Sequence, residues 1–289
     1  MKKILMVVLV SLLTISGLAF TGVDQEARKV LVVIWDGTEW DNIEALYSSG
    51  LLPNLASVGS LHHLTANTDC FGSGEGIQCM QTETKPQHAT MLTGCLADVH
   101  GTFNNSIFQL VPDGLTVYEQ IEALDASIKT AHLVSKNRQI GAVLFGNIKG
   151  DVDAFYASQA VTKVAANVAM RLMHRWRDRD FFIVVHFKMP DNIGHNAGNH
   201  SEKYRQAIMV NDIQLGKMLQ VLASDGLRAE TRVYVLADHG FGCPDAYDHE
   251  CSPNAFIASN DPAVTDLMME DMAGILLANF GLQPPDCGQ

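Results

Sequence analysis

The sequence is short of basic residues. Its 289 residues include 20 Lys and Arg against 32 Asp and Glu, which gives a formal net charge of −12. Nonspecific binding to nucleic acid depends on basic side chains that neutralise phosphates, so we expect no nucleic-acid partner. The chain also lacks internal repeats and low-complexity linkers, and after residue 22 it contains no apolar run long enough to span a bilayer. These absences favour a single acidic globular domain.

The N-terminus has the pattern of an export signal. Lys2 and Lys3 precede an apolar run over Ile4–Phe20, and small residues allow cleavage near Ala19. We expect residues 1–22 to be a signal peptide and residues 23–289 to form one periplasmic or secreted domain, without stable membrane insertion after cleavage. An uncleaved membrane anchor is the alternative. No cysteine follows the apolar run, which argues against a lipoprotein.

Metal-binding Cys-x-x-C pairs are absent, although the chain contains six cysteines. In an exported protein, six cysteines favour disulfides, and their pairing is not fixed by the sequence alone. Proximity, with the last pair left by remainder, favours these partners: Cys70–Cys79, Cys243–Cys251 and Cys95–Cys287.

Apolar runs suited to buried strands alternate with amphipathic segments along the chain. Lys29–Trp35 and Phe181–Phe187 are continuous runs of β-branched, aliphatic and aromatic residues, typical of strands covered on both faces. Ser158–Arg179 carries the apolar stripe of a long helix. The alternation predicts an α/β fold with a mainly parallel central sheet and helices on both faces. We also expect a glycine-rich loop over Thr68–Thr82 and a last helix over Pro262–Phe280.

A threonine lies at the predicted start of a helix. In the stretch TKPQHATMLTG over residues 84–94, Pro86 favours the first helical turn and Gly94 can end the helix. Thr84 should then lie just before the helix N-terminus, where free N–H groups and the helix dipole favour a bound phosphate or sulfate. Thr84 is therefore a candidate nucleophile. The alternative is that it only caps a short helix.

Three acidic residues come at or just after the ends of predicted strands: Asp36, Asp191 and Asp238. Ligands of open parallel sheets bind outside the carboxyl ends of the strands, so these carboxylates should converge. Three histidines lie beside them or in a later loop: His195, His239 and His249. Mixed Asp and His ligands suit Zn²⁺, and also Mn²⁺ or Fe²⁺. Bound cations would offset the repulsion between clustered carboxylates.

The order of these motifs resembles the alkaline phosphatase superfamily. The motifs are Asp36-Gly37, residues 84–94, His100-Gly101 with Asn105, Asp191-x-x-Gly-His195, Asp238-His239-Gly240 and His249. The closer branch is that of nucleotide pyrophosphatase/phosphodiesterases and threonine-nucleophile alkaline phosphatases. The resemblance covers about Val30–Ser259 and implies an alkaline phosphatase-like catalytic domain.

The resemblance implies two divalent metal ions, usually zinc. One ion is expected on Asp191, His195 and His249. The other is expected on Asp36, Asp238 and His239, and this ion also binds the Thr84 oxygen. Asn105 is similar to the asparagine that hydrogen-bonds a phosphate oxygen, whereas His88 and His100 are expected to be structural. The implied reaction proceeds through a phospho-threonine.

The sequence leaves the ester class open. Ser135-Lys136-Asn137-Arg138 is similar to a Ser-x-Lys-x-Arg stretch whose Lys136 and Arg138 equivalents contact phosphate, and this favours a phosphomonoesterase. The alternative for these residues is a solvated basic turn. A type I phosphodiesterase or nucleotide pyrophosphatase is the alternative for the chain. A sulfatase is less favoured, because Thr84 replaces the Cys or Ser of the C/S-x-P-x-R pattern and His88 its arginine. A catalytically inactive metal-binding protein is the non-enzyme alternative. We expect a small-molecule phosphate ester as substrate, and the sequence does not indicate an oligomeric state.

Overall fold

The structure is a computed structural model that describes residues 28–73, 76–136, 152–158 and 162–288. The predicted signal peptide, residues 1–22, and the predicted phosphate contact Arg138 lie outside the described residues. No helix in the described ranges has the length and apolar character needed to cross a membrane.

The central sheet has eight strands in the order β10-β2-β9-β8-β1-β7-β5-β6, and a separate hairpin pairs β3 with β4. The strands are β1 (Lys29–Trp35), β2 (Leu61–Thr65), β3 (Cys70–Phe71), β4 (Gln78–Cys79), β5 (Lys129–Val134), β6 (Ala154–Ala157), β7 (Phe181–Phe187), β8 (Thr231–Leu236), β9 (Asn254–Ser259) and β10 (Leu267–Met268). The helices are α1 (Trp40–Ser48), α2 (Pro53–Ala56), α3 (Thr84–Thr93), α4 (Ala97–His100), α5 (Val117–Leu124), α6 (Thr162–Arg175), α7 (Met189–Ala197), α8 (Glu202–Ser224) and α9 (Asp271–Ala278).

The α/β prediction is confirmed, with a mainly parallel sheet between helical layers. β1 lies in the middle of the sheet, parallel to β7 on one side and to β8 on the other. Residues Val30–Trp35 of β1 are fully buried, as expected for a strand covered on both faces. β9 departs from the pattern, because it runs antiparallel to both β8 and β2.

Strand direction gathers the candidate residues at one edge of the sheet. Since β5, β7, β1 and β8 are parallel neighbours, the segments that follow them emerge side by side. Antiparallel β9 begins at that same edge, so the loop before it returns there. β2 also ends at that edge, and from there the chain continues through the hairpin to α3.

α3 is buried around its whole circumference although six of its ten residues are polar. Some of its polar side chains are satisfied by backbone carbonyls: the Gln87 amide donates to the Asn67 and Gln81 carbonyls, and Thr93 donates to Ala89. Gly94 ends the helix in the left-handed conformation, with φ 73°. The residue preceding the helix is Glu83, so Thr84 is the first helical residue rather than the residue before it.

Several sequence predictions of local structure need correction. The segment Thr68–Thr82 contains the β3–β4 hairpin, closed by the Cys70–Cys79 disulfide, rather than only a loop. The predicted last helix, Pro262–Phe280, is shortened to α9, because β10 adds a parallel strand beside β2. α7 was not predicted, since Pro190 and Gly194 weaken its helical signal.

All three preferred cysteine pairings are confirmed, as Cys70–Cys79, Cys95–Cys287 and Cys243–Cys251. The second closes 192 residues and ties the C-terminal tail to the end of α3. The third disulfide closes the loop that contains His249, so it restrains a candidate metal ligand.

Candidate metal and active site

The structure brings the six predicted metal ligands together at the carboxyl edge of the sheet. They fall into two groups, which we call the inner cluster (Asp36, Asp238 and His239) and the outer cluster (Asp191, His195 and His249). The inner cluster is fully buried. In the outer cluster Asp191 and His249 are buried, whereas the His195 side chain is 43% exposed.

The inner cluster is held by the turns that follow β1 and β8. Asp238 Oδ1 accepts hydrogen bonds from the Gly37 and His239 backbone amides, both at 3.1 Å. His239 Nε2 lies 3.4 Å from Asp36 Oδ1 and 3.7 Å from Asp238 Oδ2. Gly37 is required here: its φ is +59°, and a Cβ at this position would lie 2.9 Å from Asp191 Cβ. One donor atom from each side chain therefore faces a common point.

The outer cluster combines the first turns of α7 with the loop before β9. Asp191 Oδ1 lies 3.3 Å from the Nε2 atom of His195 and 3.3 Å from that of His249. The two Nε2 atoms are 3.1 Å apart. Ligands about 2.1 Å from a tetrahedral zinc ion are separated by about 3.4 Å. The spacing of the outer cluster therefore fits a divalent cation.

Hydrogen bonds fix the tautomers of the three candidate histidine ligands. Each Nδ1 lies 2.8–2.9 Å from a backbone carbonyl oxygen, in the pairs His195–Tyr247, His239–Gly240 and His249–Thr82. A proton on Nδ1 leaves the Nε2 lone pair free for a metal, the arrangement typical of histidine ligands. Lone pairs that face each other and a carboxylate need a cation between them, so this donor set fits the two-ion expectation.

Thr84 lies beside the inner cluster at the N-terminus of α3. Its Oγ1 is 3.4 Å from Asp36 Oδ1 and 3.0 Å from Lys136 Nζ. Lys136 follows β5, and its ammonium also contacts Asp36 Oδ2 at 2.5 Å and Asp191 Oδ2 at 2.7 Å. Lys136 therefore bridges the two clusters and the candidate nucleophile, a position that the alternative of a solvated basic turn does not describe.

Asn105 is oriented by the residues around Thr84. The Lys85 backbone amide donates to Asn105 Oδ1 at 3.1 Å, and Lys85 Nζ donates to the Asn105 carbonyl at 2.5 Å. The backbone N–H of Asn105 donates to the Glu83 carboxylate. With Oδ1 occupied, the Asn105 side chain has its NH₂ group available as a donor.

The clusters shift the pKa values of their own members. Burial by itself raises the pKa of Asp191, but Lys136 and the neighbouring histidines hold it well below its ordinary value. Burial lowers the pKa of His239, yet Asp238 and Asp36 raise it to about 9. Burial also lowers the pKa of Lys136, and Asp191 and Asp36 outweigh it and raise that pKa. The concentrated negative charge therefore stabilises cationic groups.

Sequence reasoning missed two parts of this environment. His186 lies in β7, fully buried, with Nε2 3.0 Å from Asp36 Oδ2. Its signal was a lone histidine in an otherwise apolar strand, which is a costly place for a polar ring. Lys85 was not singled out, although it fixes Asn105. His100 lies away from both clusters and hydrogen-bonds Thr90 and Thr102.

Comparisons with known proteins identify the family and support the fold. The family model for type I phosphodiesterase / nucleotide pyrophosphatase matches residues 30–285. A rat protein, ectonucleotide pyrophosphatase/phosphodiesterase family member 3, is 23% identical over 173 residues, which is 55% of this chain and 20% of the relative. This chain thus spans about one fifth of that relative's length.

Two solved structures illustrate the shared fold. Murine ectonucleotide pyrophosphatase/phosphodiesterase 5, an inactive threonine-to-alanine form in complex with AMP, has a TM-score of 0.62 at 15% identity, covering 89% of this chain and 96% of that chain. Alkaline phosphatase from the Antarctic bacterium TAB5 has a TM-score of 0.59 at 16% identity, covering 89% and 98%. The structural likeness carries the fold, and the match over residues 30–285 carries the family. The chain belongs to the type I phosphodiesterase/nucleotide pyrophosphatase family.

Proposed function

We propose that the chain hydrolyses small-molecule phosphodiesters with two divalent cations and Thr84 as nucleophile. The observation that carries the proposal is the position of Thr84 Oγ1, at a helix N-terminus, 3.4 Å from Asp36 in the inner cluster. The family match supports a diester substrate rather than the monoester favoured by the Lys136 motif alone.

The ligand residues divide the work between the two clusters. Asp36, Asp238 and His239 would hold one cation beside the nucleophile. Asp191, His195 and His249 would hold the other, on the more exposed side. The bound cations supply Lewis acidity that lowers the pKa of the Thr84 hydroxyl and offsets charge on the transferred group. Zn²⁺ fits the mixed carboxylate and imidazole donors, as do Mn²⁺ and Fe²⁺.

The chain's own groups then carry out an in-line displacement. The Thr84 hydroxyl gives its proton to solvent, a bond forms between Thr84 Oγ1 and phosphorus, and the bond from phosphorus to the leaving oxygen breaks, so that the first alcohol departs after taking a proton from solvent. Lys136 Nζ lies 3.0 Å from Thr84 Oγ1 and stabilises the negative charge that this threonine oxygen carries once its proton has left. The Asn105 NH₂ group donates to a non-bridging phosphate oxygen. Water then attacks the phospho-threonine, releases the phosphate product and restores the hydroxyl.

The loop that carries Asn105 supports a second organic group on phosphorus. Three side chains of this loop are exposed although they are apolar: Ile107, Phe108 and Leu110. Phe108 is placed by Lys85, whose ammonium lies 3.5 Å from the centre of its ring. These apolar residues follow Asn105, the residue that we propose binds phosphate, by two to five positions in the sequence. We infer that they contact the organic substituent that a diester has and inorganic phosphate lacks.

A phosphomonoesterase is the second candidate, and Lys136 favours it. A monoester carries an additional negative charge, which benefits from a cationic side chain at the free oxygens. Lys136 contacts Asp36, Asp191 and Thr84, so it lies where such an oxygen would bind. Its predicted partner Arg138 lies outside the described residues. The single lysine is therefore weaker support than the family match.

The direct test compares p-nitrophenyl phosphate with bis-p-nitrophenyl phosphate on zinc-loaded and chelator-treated protein. We expect chelator-sensitive turnover that favours the diester. Preference for the monoester would favour the phosphatase alternative and a phosphate-binding role for Lys136. Retention of both zinc ions without turnover of either ester would contradict the proposal and favour a binding-only protein.

The three disulfides also support an exported protein, in the periplasm or outside the cell.

A further inference from the structure

Two buried histidines lie directly behind the inner cluster. His88 is one turn after Thr84 in α3, and His186 is the sixth residue of β7. Both rings are fully buried, and their centroids are 5.1 Å apart in an edge-to-face arrangement. His88 Nε2 lies 3.3 Å from Asp238 Oδ2, and His186 Nε2 lies 3.0 Å from Asp36 Oδ2. Each ring therefore faces one carboxylate of the inner cluster.

The two carboxylates are the only acidic groups within ion-pair distance of these rings in the part of the chain that the structure describes. In the described part of the chain, none of their four ring nitrogens makes a hydrogen bond, and the facing oxygens Asp36 Oδ2 and Asp238 Oδ2 also lack one, although they lie 3.0–3.3 Å from the rings. A buried imidazole without any polar partner is costly, so each ring is expected to satisfy at least one nitrogen. The facing carboxylate oxygen is the partner within reach.

The ring environments differ from those of the candidate metal ligands. His195, His239 and His249 each place Nδ1 against a backbone carbonyl, which favours the neutral tautomer whose Nε2 is free to bind a cation. His88 and His186 have no carbonyl at Nδ1. Nothing therefore draws their proton away from Nε2, and a bare Nε2 lone pair would repel the carboxylate oxygen at 3.0–3.3 Å.

We propose that His88 and His186 are positioning residues that donate Nε2–H to Asp238 and Asp36 and orient both carboxylates toward the inner cation. The inference rests on the proposed function, because it assigns the inner cluster to a cation. Asp238 has its other oxygen fixed by backbone amides, and Asp36 has Lys136 on the oxygen that faces His186. With the histidines added, each carboxylate would have contacts on both oxygens.

Charge decides against the alternative that the two histidines bind a third cation. Asp36, Asp238 and Asp191 are the only carboxylates of the two clusters, and two divalent cations already outweigh them. Lys136 adds another positive charge in contact with two of these carboxylates. A third divalent ion would bring further uncompensated charge into a fully buried space. Neutral histidine donors orient the carboxylates without that cost.

The test compares replacements of equal length that keep or remove the donor: His88→Gln with His88→Met, and His186→Gln with His186→Met. Zinc affinity and stoichiometry are measured by competition with a chelating dye, on full-length protein without substrate. We expect each Met variant to lose about 10- to 100-fold in affinity for one of the two ions. Each Gln variant should stay within about threefold of the native protein, because its amide can donate from nearly the same place.

Several results would overturn the inference. Equal loss in the Gln and Met variants would show that the rings only fill space, and unchanged affinity in the Met variants would remove any positioning role. A third zinc ion in the native protein that either substitution abolishes would make the rings ligands. If the Met variants fail to fold, histidine ¹⁵N NMR of the native zinc form decides: a proton on Nε2 of both rings is required. Failure of the proposed function is distinguishable, since native protein would then bind no zinc at the inner cluster or turn over no ester.

Discussion

The inner and outer clusters have similar donor sets but different surroundings. Each combines carboxylate oxygens with imidazole Nε2 atoms, yet the inner cluster is fully buried and the outer one reaches solvent through His195. Ligand histidines of both clusters contact backbone carbonyls, but only the inner cluster has two further buried histidines against its carboxylates, among the described residues. Thr84, the nucleophile that we propose, lies on the enclosed side beside Asp36.

In the proposed reaction, the difference would divide the displacement between the two sides. A nucleophile must be held rigidly, and the buried cluster would restrain Thr84 in this way. A leaving group and an incoming water must exchange with solvent, and the partly exposed outer cluster would allow this. Lys136 spans both, with one carboxylate contact in each cluster. The predictions below test this asymmetry, beginning with the largest expected effect.

Removing the nucleophile on the inner side should abolish turnover. We expect Thr84→Ala to reduce kcat by at least about a thousandfold, because no other described hydroxyl takes its place beside Asp36. Both zinc ions should remain, since the six other ligands are intact. Thr84→Ser, which keeps the hydroxyl, is the matched control. Turnover of the Ala variant near the native rate would show that Thr84 does not react.

Ligand substitutions should separate the two clusters. Asp238→Asn removes a carboxylate that has contacts at both oxygens, with backbone amides at Oδ1 and with His88 at Oδ2. We expect this variant to bind one zinc ion more than about a hundredfold more weakly. His195→Asn removes a half-exposed ring, and water can replace it, so the loss at the other ion should be smaller. Isothermal titration with zinc measures both. Equal losses for the two variants would contradict the asymmetry.

Lys136 should separate the two ester classes. Lys136→Met removes a charged hydrogen bond worth about 1.5–3 kcal/mol, so kcat/KM for p-nitrophenyl phosphate should fall by about 10- to 100-fold. The fall for bis-p-nitrophenyl phosphate should be smaller, because a diester has one fewer negative charge. Lys136→Arg is the control that keeps the charge. An equal fall in kcat/KM for both esters would indicate that Lys136 acts only through its contacts with Thr84 and the carboxylates, and not on the extra charge of a monoester.

Phe108 tests the apolar side of the proposed substrate site. Phe108→Ala should raise KM for the diester by about fivefold, in line with loss of part of an exposed aromatic contact. The value of kcat should change little, since the Asn105 side chain remains oriented by Lys85. Steady-state kinetics with both nitrophenyl esters measure the effect. Leu124→Ala, an exposed apolar residue on α5, is the control that should leave KM unchanged.

His100 provides a histidine outside the clusters, and its effect on activity should be the smallest. Burial lowers its pKa to about 4 from an ordinary 6.5, so the unfolded chain binds its proton more readily than the folded one. His100 should therefore destabilise the fold progressively as pH falls from about 6.5 to about 4, by about 3 kcal/mol in total.

Urea unfolding of native protein and His100→Gln across this pH range measures that effect. The variant should be less stable at neutral pH but should lose part of the acid dependence. If the free energy of unfolding of the two proteins changes with pH in the same way, His100 does not cause the loss of stability at acidic pH.

The sequence predicted the site most accurately where the direction of parallel strands determines which residues meet. Asp36 and Asp238 come directly after buried strands, so parallel neighbours bring them together and the prediction needed only the apolar runs. Asp191 was placed correctly at the edge, although it belongs to the unpredicted α7. The two disulfides that close short loops followed from proximity, and the Cys95–Cys287 pair followed only as the remainder.

Features that depend on packing between distant segments were beyond the sequence. The bridging position of Lys136 requires β5 to lie beside β7, which periodicity does not specify. The contact of His186 with Asp36 depends on the register of β7 against β1. β10 was misassigned to a helix because its two residues are stabilised by pairing with β2 rather than by local propensity.

The central claim is that Thr84 forms a covalent intermediate, and stereochemistry at phosphorus tests it most directly. A phosphorothioate diester of one configuration is hydrolysed by the zinc-loaded protein in water enriched in heavy oxygen, and the product configuration is determined by NMR. Each in-line displacement inverts phosphorus, so attack by Thr84 followed by attack by water predicts net retention. Net inversion would mean that water attacks the ester directly, and it would contradict the role assigned to Thr84.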